Sequence, residues 1–242
     1  MSYLQHRRKA FAAGGGGEPA FGGSSRYWDA YTTSCYGVIS SAPAELDLVG
    51  GDFSVAFWMK NDNTNANPYI IEFNDSNSNV WSVYRYTASN FAMRVDEGGS
   101  LVTNRRTTSN PISTDTWIHC VVTFTNSTSA VAFYTDDSAA LTQTSNNYNR
   151  GNTTRTTFGI RTDLSSATIG KYKAADLRVY SKVLDATDRT NLFEGTHVSD
   201  SLVGWWFLDS DDMNDNSGNG NDISQASAPP DDVIFSTDGP FD

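Results

Sequence analysis

The chain has 242 residues, of which 38% are hydrophobic, 12% aromatic and only 19% charged. That length suits one large domain or a domain with an appendage, and the apolar content is enough for a core, which excludes a fully disordered chain. A net charge of −11 excludes nucleic acid as the expected partner, and no stretch reaches the length of an apolar membrane-crossing helix, so no membrane partner is expected either.

Residues 1–25 read as a flexible arm. "GGGGEPAFGGSS" carries too much ordering entropy to sit inside a helix or strand. Arg7, Arg8 and Lys9 against Glu18 give residues 1–23 a net +2, which leaves −13 for the rest. With the spaced apolar side chains Leu4, Phe11 and Phe21, these cations are the candidate contacts of the arm to a partner surface. The start lacks the apolar segment of a signal peptide, so export by that route is not expected.

Residues 26–242 read as one β domain that includes the C-terminal strand and tail. In "FSVAFWMK" (53–60), Phe53, Val55 and Phe57 alternate with Ser54 and Ala56. "PYIIEFN" (68–74) follows, then "NVWSVYRYT" (79–87), where Val80, Ser82, Tyr84 and Tyr86 oppose Trp81, Val83 and Arg85. "NFAMRVDEGG" (90–99) ends on a turn signal. "TWIHCVVTFTN" (116–126) and "AVAFYTDD" (130–137) are strands joined by the hairpin chemistry of "NSTS". Residues 142–157 read as a polar loop, in which Asn146, Asn147, Tyr148 and Asn149 are the candidate glycan contacts: an aromatic ring for stacking among amides for hydrogen bonding.

"ATIGKYKAADLRVYSKVL" (167–184) returns to strand. "DATDRTNLFEG" (185–195) predicts the one helix, with Asp185 as N-cap, Asp188 three residues on and Gly195 closing it. "LVGWWFLD" is again a strand. About ten strands, one short helix and no βα alternation predict an all-β antiparallel sandwich. Trp117 and at least one of Trp205 and Trp206 are expected in its core. Cys120 is expected as a buried thiol, and a Cys35–Cys120 bridge is the alternative.

Several stretches resemble the laminin G-like, concanavalin A-like jelly-roll family: "DFSVAFWMK", "TWIHCVVTFTNSTSAVAFYTDD", "ADLRVYSKVLDATDRTNLFEG" and the aromatic strand before "SGNGN". The resemblance spans roughly residues 27–222. The placement of the aromatic strand after the helix is similar to virion proteins of tailed phages that carry this fold. The resemblance implies a non-enzymatic structural protein, a capsid decoration protein of the virion anchored by its arm to the major capsid protein or another virion protein. A homo-oligomer is expected, with a trimer as the natural match to a capsid lattice. The alternative is a carbohydrate-binding adhesin module of a tail or fibre. Glucanases of this fold need Glu-x-Asp-x-x-Glu on one strand face, and that motif is missing: Glu72 and Asp75 are wrongly spaced, and Asp96 and Glu97 fall on opposite faces of a strand.

"DSDDMNDNSGNGND" after the tandem tryptophans reads first as a structural turn, with side chains that mimic backbone turns and glycines that accept positive φ. Calcium is the weaker reading, with Asp209, Asp211, Asp212, Asn214 and Asn216 as oxygen donors. The pattern misses a helix-loop-helix calcium loop, since Gly218 falls one place late and no Glu closes it. No other cofactor is expected. His6, His119 and His197 are too dispersed for zinc, and His119 reads as a strand residue.

Overall fold

The computed structural model describes residues 25–28, 36–39, 46, 51–61, 69–75, 80–86, 90–97, 100–107, 115–144, 153–158, 172–208, 213–226, 233–236 and 239–240. Among the described residues fifteen strands form: β1 (Ser25–Trp28), β2 (Tyr36–Ile39), β3 (Phe53–Asn61), β4 (Tyr69–Asp75), β5 (Val80–Arg85), β6 (Phe91–Glu97), β7 (Ser100–Arg106), β8 (Trp117–Thr125), β9 (Ala130–Thr135), β10 (Ser138–Thr144), β11 (Thr153–Phe158), β12 (Tyr172–Tyr180), β13 (Leu202–Trp206), β14 (Ser224–Ala226) and β15 (Val233–Ser236). Among the described residues there is one α-helix, α1 (Ala186–Phe193), between β12 and β13. The first sheet runs β10-β9-β8-β3-β12-β1-β15, with β13 also on β12; the second runs β14-β2-β11-β4-β5-β6-β7. Every described strand pair is antiparallel. The all-β sandwich expected from the alternation is therefore the fold.

The core lies between the sheets. Phe53, Val55, Phe57 and Met59 of β3 and Ile118, Cys120, Val122 and Phe124 of β8 face Ile71 and Phe73 of β4, Trp81 and Val83 of β5, and Phe91, Met93 and Val95 of β6. Phe53 and Phe73 both stack on Trp81, with ring centroids 4.3 and 4.2 Å away. Period-two alternation delivers these side chains to one face, and their burial drives the closure of the sandwich.

Two expectations are corrected. Residues 142–157 are not one loop: β10 ends at Thr144 and β11 begins at Thr153, with 145–152 outside the described residues. β11 pairs with β2 and β4, and Thr156 and Phe158 on its core side are buried. Its threonines are β-branched and suit a strand, despite their polarity. Trp117 is not in the core. It opposes Lys60 on the outer face of the first sheet and is only half-buried, whereas Trp206 is fully buried between the sheets. Cys120 is a free buried thiol; Cys35 lies outside the described residues.

The outer face of the first sheet is covered by α1 and the chain after it. Asp185 caps the helix as the spacing predicts: its carboxylate accepts the Asp188 backbone N–H at 2.9 Å, and the Asp188 carboxylate accepts the Asp185 N–H at 3.2 Å. Gly195 closes it at φ +83°. Leu192 packs with Leu184 and Val198 onto Ala56, Val121 and Tyr180. The Ser54 hydroxyl clips the entry segment, donating to the Lys182 carbonyl at 2.8 Å and accepting the Leu184 N–H at 3.0 Å. No helix among the described residues is long and apolar enough to cross a membrane.

The outermost described strands are blunt. β7 carries an extra residue, Val102, against the consecutive pair Val95–Asp96, and β10 carries Ala140 against Phe133–Tyr134. At the other ends, β14 has three residues and β15 four. Bulges and short strands both interrupt the row of backbone groups that an edge would otherwise present.

Candidate functional site on the outer face of the second sheet

The acidic turn after the tandem tryptophans is structural where it is described. Asp215 is its hub: its carboxylate accepts the Trp205 N–H at 2.9 Å, the Ser217 N–H at 2.9 Å, the Ser217 hydroxyl at 2.8 Å and the Asn221 N–H at 3.0 Å. The Asn221 amide donates to the Val203 carbonyl at 2.6 Å, and the Trp206 indole N–H donates to the Asn221 carbonyl at 2.8 Å. Gly218 and Gly220 sit at φ +87° and +75°, which side chains rarely adopt. The segment thus satisfies the free edge of β13 with side chains in place of a strand. Of the calcium candidates, Asn214 is exposed and the Asn216 amide is turned onto the Trp205 and Asn214 carbonyls. Asp209, Asp211 and Asp212 lie outside the described residues, as do the arm residues Leu4, Arg7, Arg8, Lys9, Phe11 and Phe21 and the loop residues Asn146, Asn147, Tyr148 and Asn149. Among the described residues, no group of three or more His, Cys, Asp or Glu could hold a metal ion. His119 is a buried strand residue tilted against Trp58, with centroids 5.0 Å apart.

A site the sequence did not single out lies on the second sheet, away from the core. The alternation that sends Trp81 and Val83 inward sends Ser82, Tyr84 and, just beyond β5, Tyr86 outward. Register then assembles the rest. Glu72, Ser82, Arg94 and Asn104 stand side by side across β4, β5, β6 and β7, and Tyr69, Tyr84, Ala92 and Arg106 form the next row. Tyr69 and Tyr84 stack at 5.0 Å with an interplanar angle of 11°, and Tyr84 meets Tyr86 edge-on at 6.3 Å. The Arg106 guanidinium lies over the Tyr86 ring, 4.5 Å from its centroid. This is a tyrosine ladder ending in a cation–π pair at the surface.

The polar row is graded in exposure. Glu72, Ser82, Tyr69 and Tyr84 are buried, Tyr86 is half-buried, and Asn104 and Arg106 are exposed. Tyr84 donates its hydroxyl to Asn104 Oδ1 at 3.1 Å, which fixes the orientation of the exposed amide. Burial pushes the Tyr84 phenol up, partly offset by that hydrogen bond. Arg94 makes a two-pronged pair with Asp96, Nε to Oδ1 at 2.7 Å and Nη2 to Oδ2 at 2.6 Å. Those hydrogen bonds hold the guanidinium above its ordinary range, against the opposing effect of burial. The Ser82 hydroxyl, fully buried between Glu72 and Arg94 in the row, has no hydrogen-bond partner. Chemically, the face offers aromatic surface, a fixed amide and a guanidinium, the last two mounted on β7 and the exposed ring on the residue that follows β5.

The two sheets and this face define a jelly-roll sandwich with a polar-aromatic sheet surface. The model of the concanavalin A-like lectin/glucanases superfamily matches residues 33–188, and the chain belongs to that superfamily. No curated protein sequence matches the chain. Among solved structures, it is similar to a Bacteroides ovatus protein designated carbohydrate binding, at 12% identity and a TM-score of 0.59, over 88% of this chain and 59% of that one. It is also similar to the binding domain of botulinum neurotoxin serotype D, at 16% identity and a TM-score of 0.55, over 74% of this chain and 44% of that one. The chain spans less than two thirds of either relative, and at these identities the likeness is one of fold.

Proposed function

We propose that the protein is a non-catalytic carbohydrate-binding module whose ligand lies on the outer face of the second sheet, over Tyr86, Asn104 and Arg106. The observation that carries this reading is the tyrosine ladder continuous with a fixed, exposed amide and guanidinium on one sheet face. A sugar presents apolar C–H faces and hydroxyls together. Tyr86 meets the first, and Asn104 and Arg106 meet the second. Because strands hold these groups in place, little side-chain entropy is left to lose on binding. The fold shared with a protein designated carbohydrate binding supports the reading.

The carboxylates of this face do not suggest hydrolysis. Asp96 is committed to Arg94, and Glu72 stands two strands and two residues from it in register, whereas a retaining pair needs about 5 Å. The arm-anchored capsid reading rests on residues 1–25, of which 1–24 lie outside the described residues, and it stands as the sequence-based alternative. If the chain forms an oligomer, as the sequence leads one to expect, several weak sites would add avidity.

The test is a glycan array followed by titration calorimetry on the best hit, with wild type and an Asn104→Ala/Arg106→Ala variant. The variant should bind at least about tenfold more weakly, since each lost hydrogen bond to a charged group is worth roughly 1.5–3 kcal/mol. Its thermal unfolding should shift only modestly, by the Tyr84 hydroxyl's loss of its Asn104 acceptor and the loss of the Arg106–Tyr86 contact, and stay cooperative. Undiminished affinity in the variant would move the site elsewhere.

A further inference from the structure

Resting on that reading, we infer that the ligand is an acidic oligosaccharide that carries an N-acetyl or similar small acyl group, with its carboxylate at Arg106 and the acyl methyl at Leu101. Two observations specify these ends. The first is charge. Of the two arginines described above on this face, Arg94 is neutralised by its two-pronged pair with Asp96. Arg106 is exposed, and among the described residues its contact is the Tyr86 ring rather than a carboxylate. A guanidinium held over an aromatic ring by its carbon keeps N–H donors in its own plane that match the two oxygens of a carboxylate. In a chain of net charge −11, an exposed cation with no acid beside it among the described residues favours an anionic group.

The second observation is Leu101. It is 53% exposed, the single large hydrophobic side chain so exposed among the described residues. It opposes Asp96 in register, on the same outer face as Asn104 and Arg106, because the Val102 bulge shifts the alternation by one. The exposed stripe of β7 therefore reads apolar, amide, cation. Leu101 and Arg106 are roughly 15 Å apart along the strand, which is longer than one pyranose ring. An oligosaccharide of two or three residues spans it, with Asn104 meeting hydroxyls or the acyl amide in the middle.

The experiment is a two-by-two comparison by titration calorimetry on the intact chain. The probes are a hyaluronan tetrasaccharide (acidic and N-acetylated), tetragalacturonate (acidic only), chitotetraose (N-acetylated only) and cellotetraose (neither). The hyaluronan fragment should bind at least about tenfold more tightly than each of the other three. Arg106→Gln should erase its advantage over chitotetraose, and Leu101→Ser its advantage over tetragalacturonate, each leaving the other preference in place. Both positions are surface positions, so circular dichroism should show both variants folded. Equal affinity for acidic and neutral probes, or an acid preference that survives Arg106→Gln, overturns the inference and leaves the carbohydrate-binding reading standing. Silence of all four probes together with a blank glycan array overturns both.

Discussion

Trp206 and Trp117 show how single side chains were and were not legible. Trp206 folds its indole over Gly204, where any Cβ would collide with the ring, and its indole N–H reaches the Asn221 carbonyl. Truncating it opens a large cavity between the sheets, so Trp206→Ala should cost about 3–5 kcal/mol in chemical denaturation. Trp117→Ala should cost clearly less, about 1 kcal/mol, because the side chain is half-exposed on the outer face. A larger loss at Trp117 than at Trp206 would reverse this placement. The sequence hid the difference for a physical reason. In β8 both Val121 and Val122 are buried, one under α1 and one in the core, so the usual alternation is blurred and the face of Trp117 cannot be counted off. In β13, Val203 is an extra residue against the consecutive pair Val179–Tyr180, which puts both Val203 and Trp206 into the core cluster and defeats counting by twos. By contrast, Ser82, Tyr84 and Tyr86 could be placed on one face from "SVYRY" alone. What could not be read was the company they keep, since Arg94, Asn104 and Arg106 reach them only through register.

Among the elements, α1 was readable because its caps are local chemistry, while β12 concealed its main feature. Between Ala175 and Arg178 it bulges, with Asp176 at φ +51° and its N–H donated to the Phe207 carbonyl. The Asp176 carboxylate takes Arg178 in a two-pronged pair at 2.8 and 3.0 Å and the Trp205 indole N–H at 2.7 Å. Arg178 lies over the Trp205 ring at 4.3 Å, and His197 stacks on that ring at 4.5 Å. Asp and Arg are both at most 4% exposed. Removing one partner leaves a buried charge with no counter-ion, so Asp176→Ala should destabilise by about 3–5 kcal/mol. Adding Arg178→Met to that variant should restore part of the loss in urea titrations. A double variant no more stable than Asp176→Ala would show that the bulge itself, rather than the charge, is what matters. "ADLRVY" gave no hint of this, because a bulge is a property of two paired strands and the partners of β12 are far away in sequence. β11 was missed for a related reason: polar threonines become a central strand only once β2 and β4 flank them.

For the whole molecule, the buried acids set the response to pH. Burial pushes Tyr180 up to about 12 from an ordinary 10.0, and also raises Tyr172 and the Cys120 thiol. The unfolded chain therefore gives up these protons first as pH rises. Stability from Tyr180 is fully present below pH 10 and is lost between 10 and about 12, an amount of about 2–3 kcal/mol for this group alone. The melting temperature should be level from pH 7 to 8, begin to fall as the unfolded chain's thiol ionises near pH 9 and fall steeply above 10, and Tyr180→Phe should soften the fall above 10, at some cost from the lost bond to the Val198 carbonyl. A flat profile to pH 11 would contradict this assignment.

The inserted residues Val102 and Ala140 have a consequence beyond local geometry. A sandwich whose sheets ended in long straight strands would be a template: at high density each molecule could recruit the next, and the product would be a fibre. Here the outermost strands are kinked by those insertions at one end of each sheet, and at the other end they are too short to serve as a landing strip. Molecules of this design can be crowded side by side without adding strand to strand at these ends.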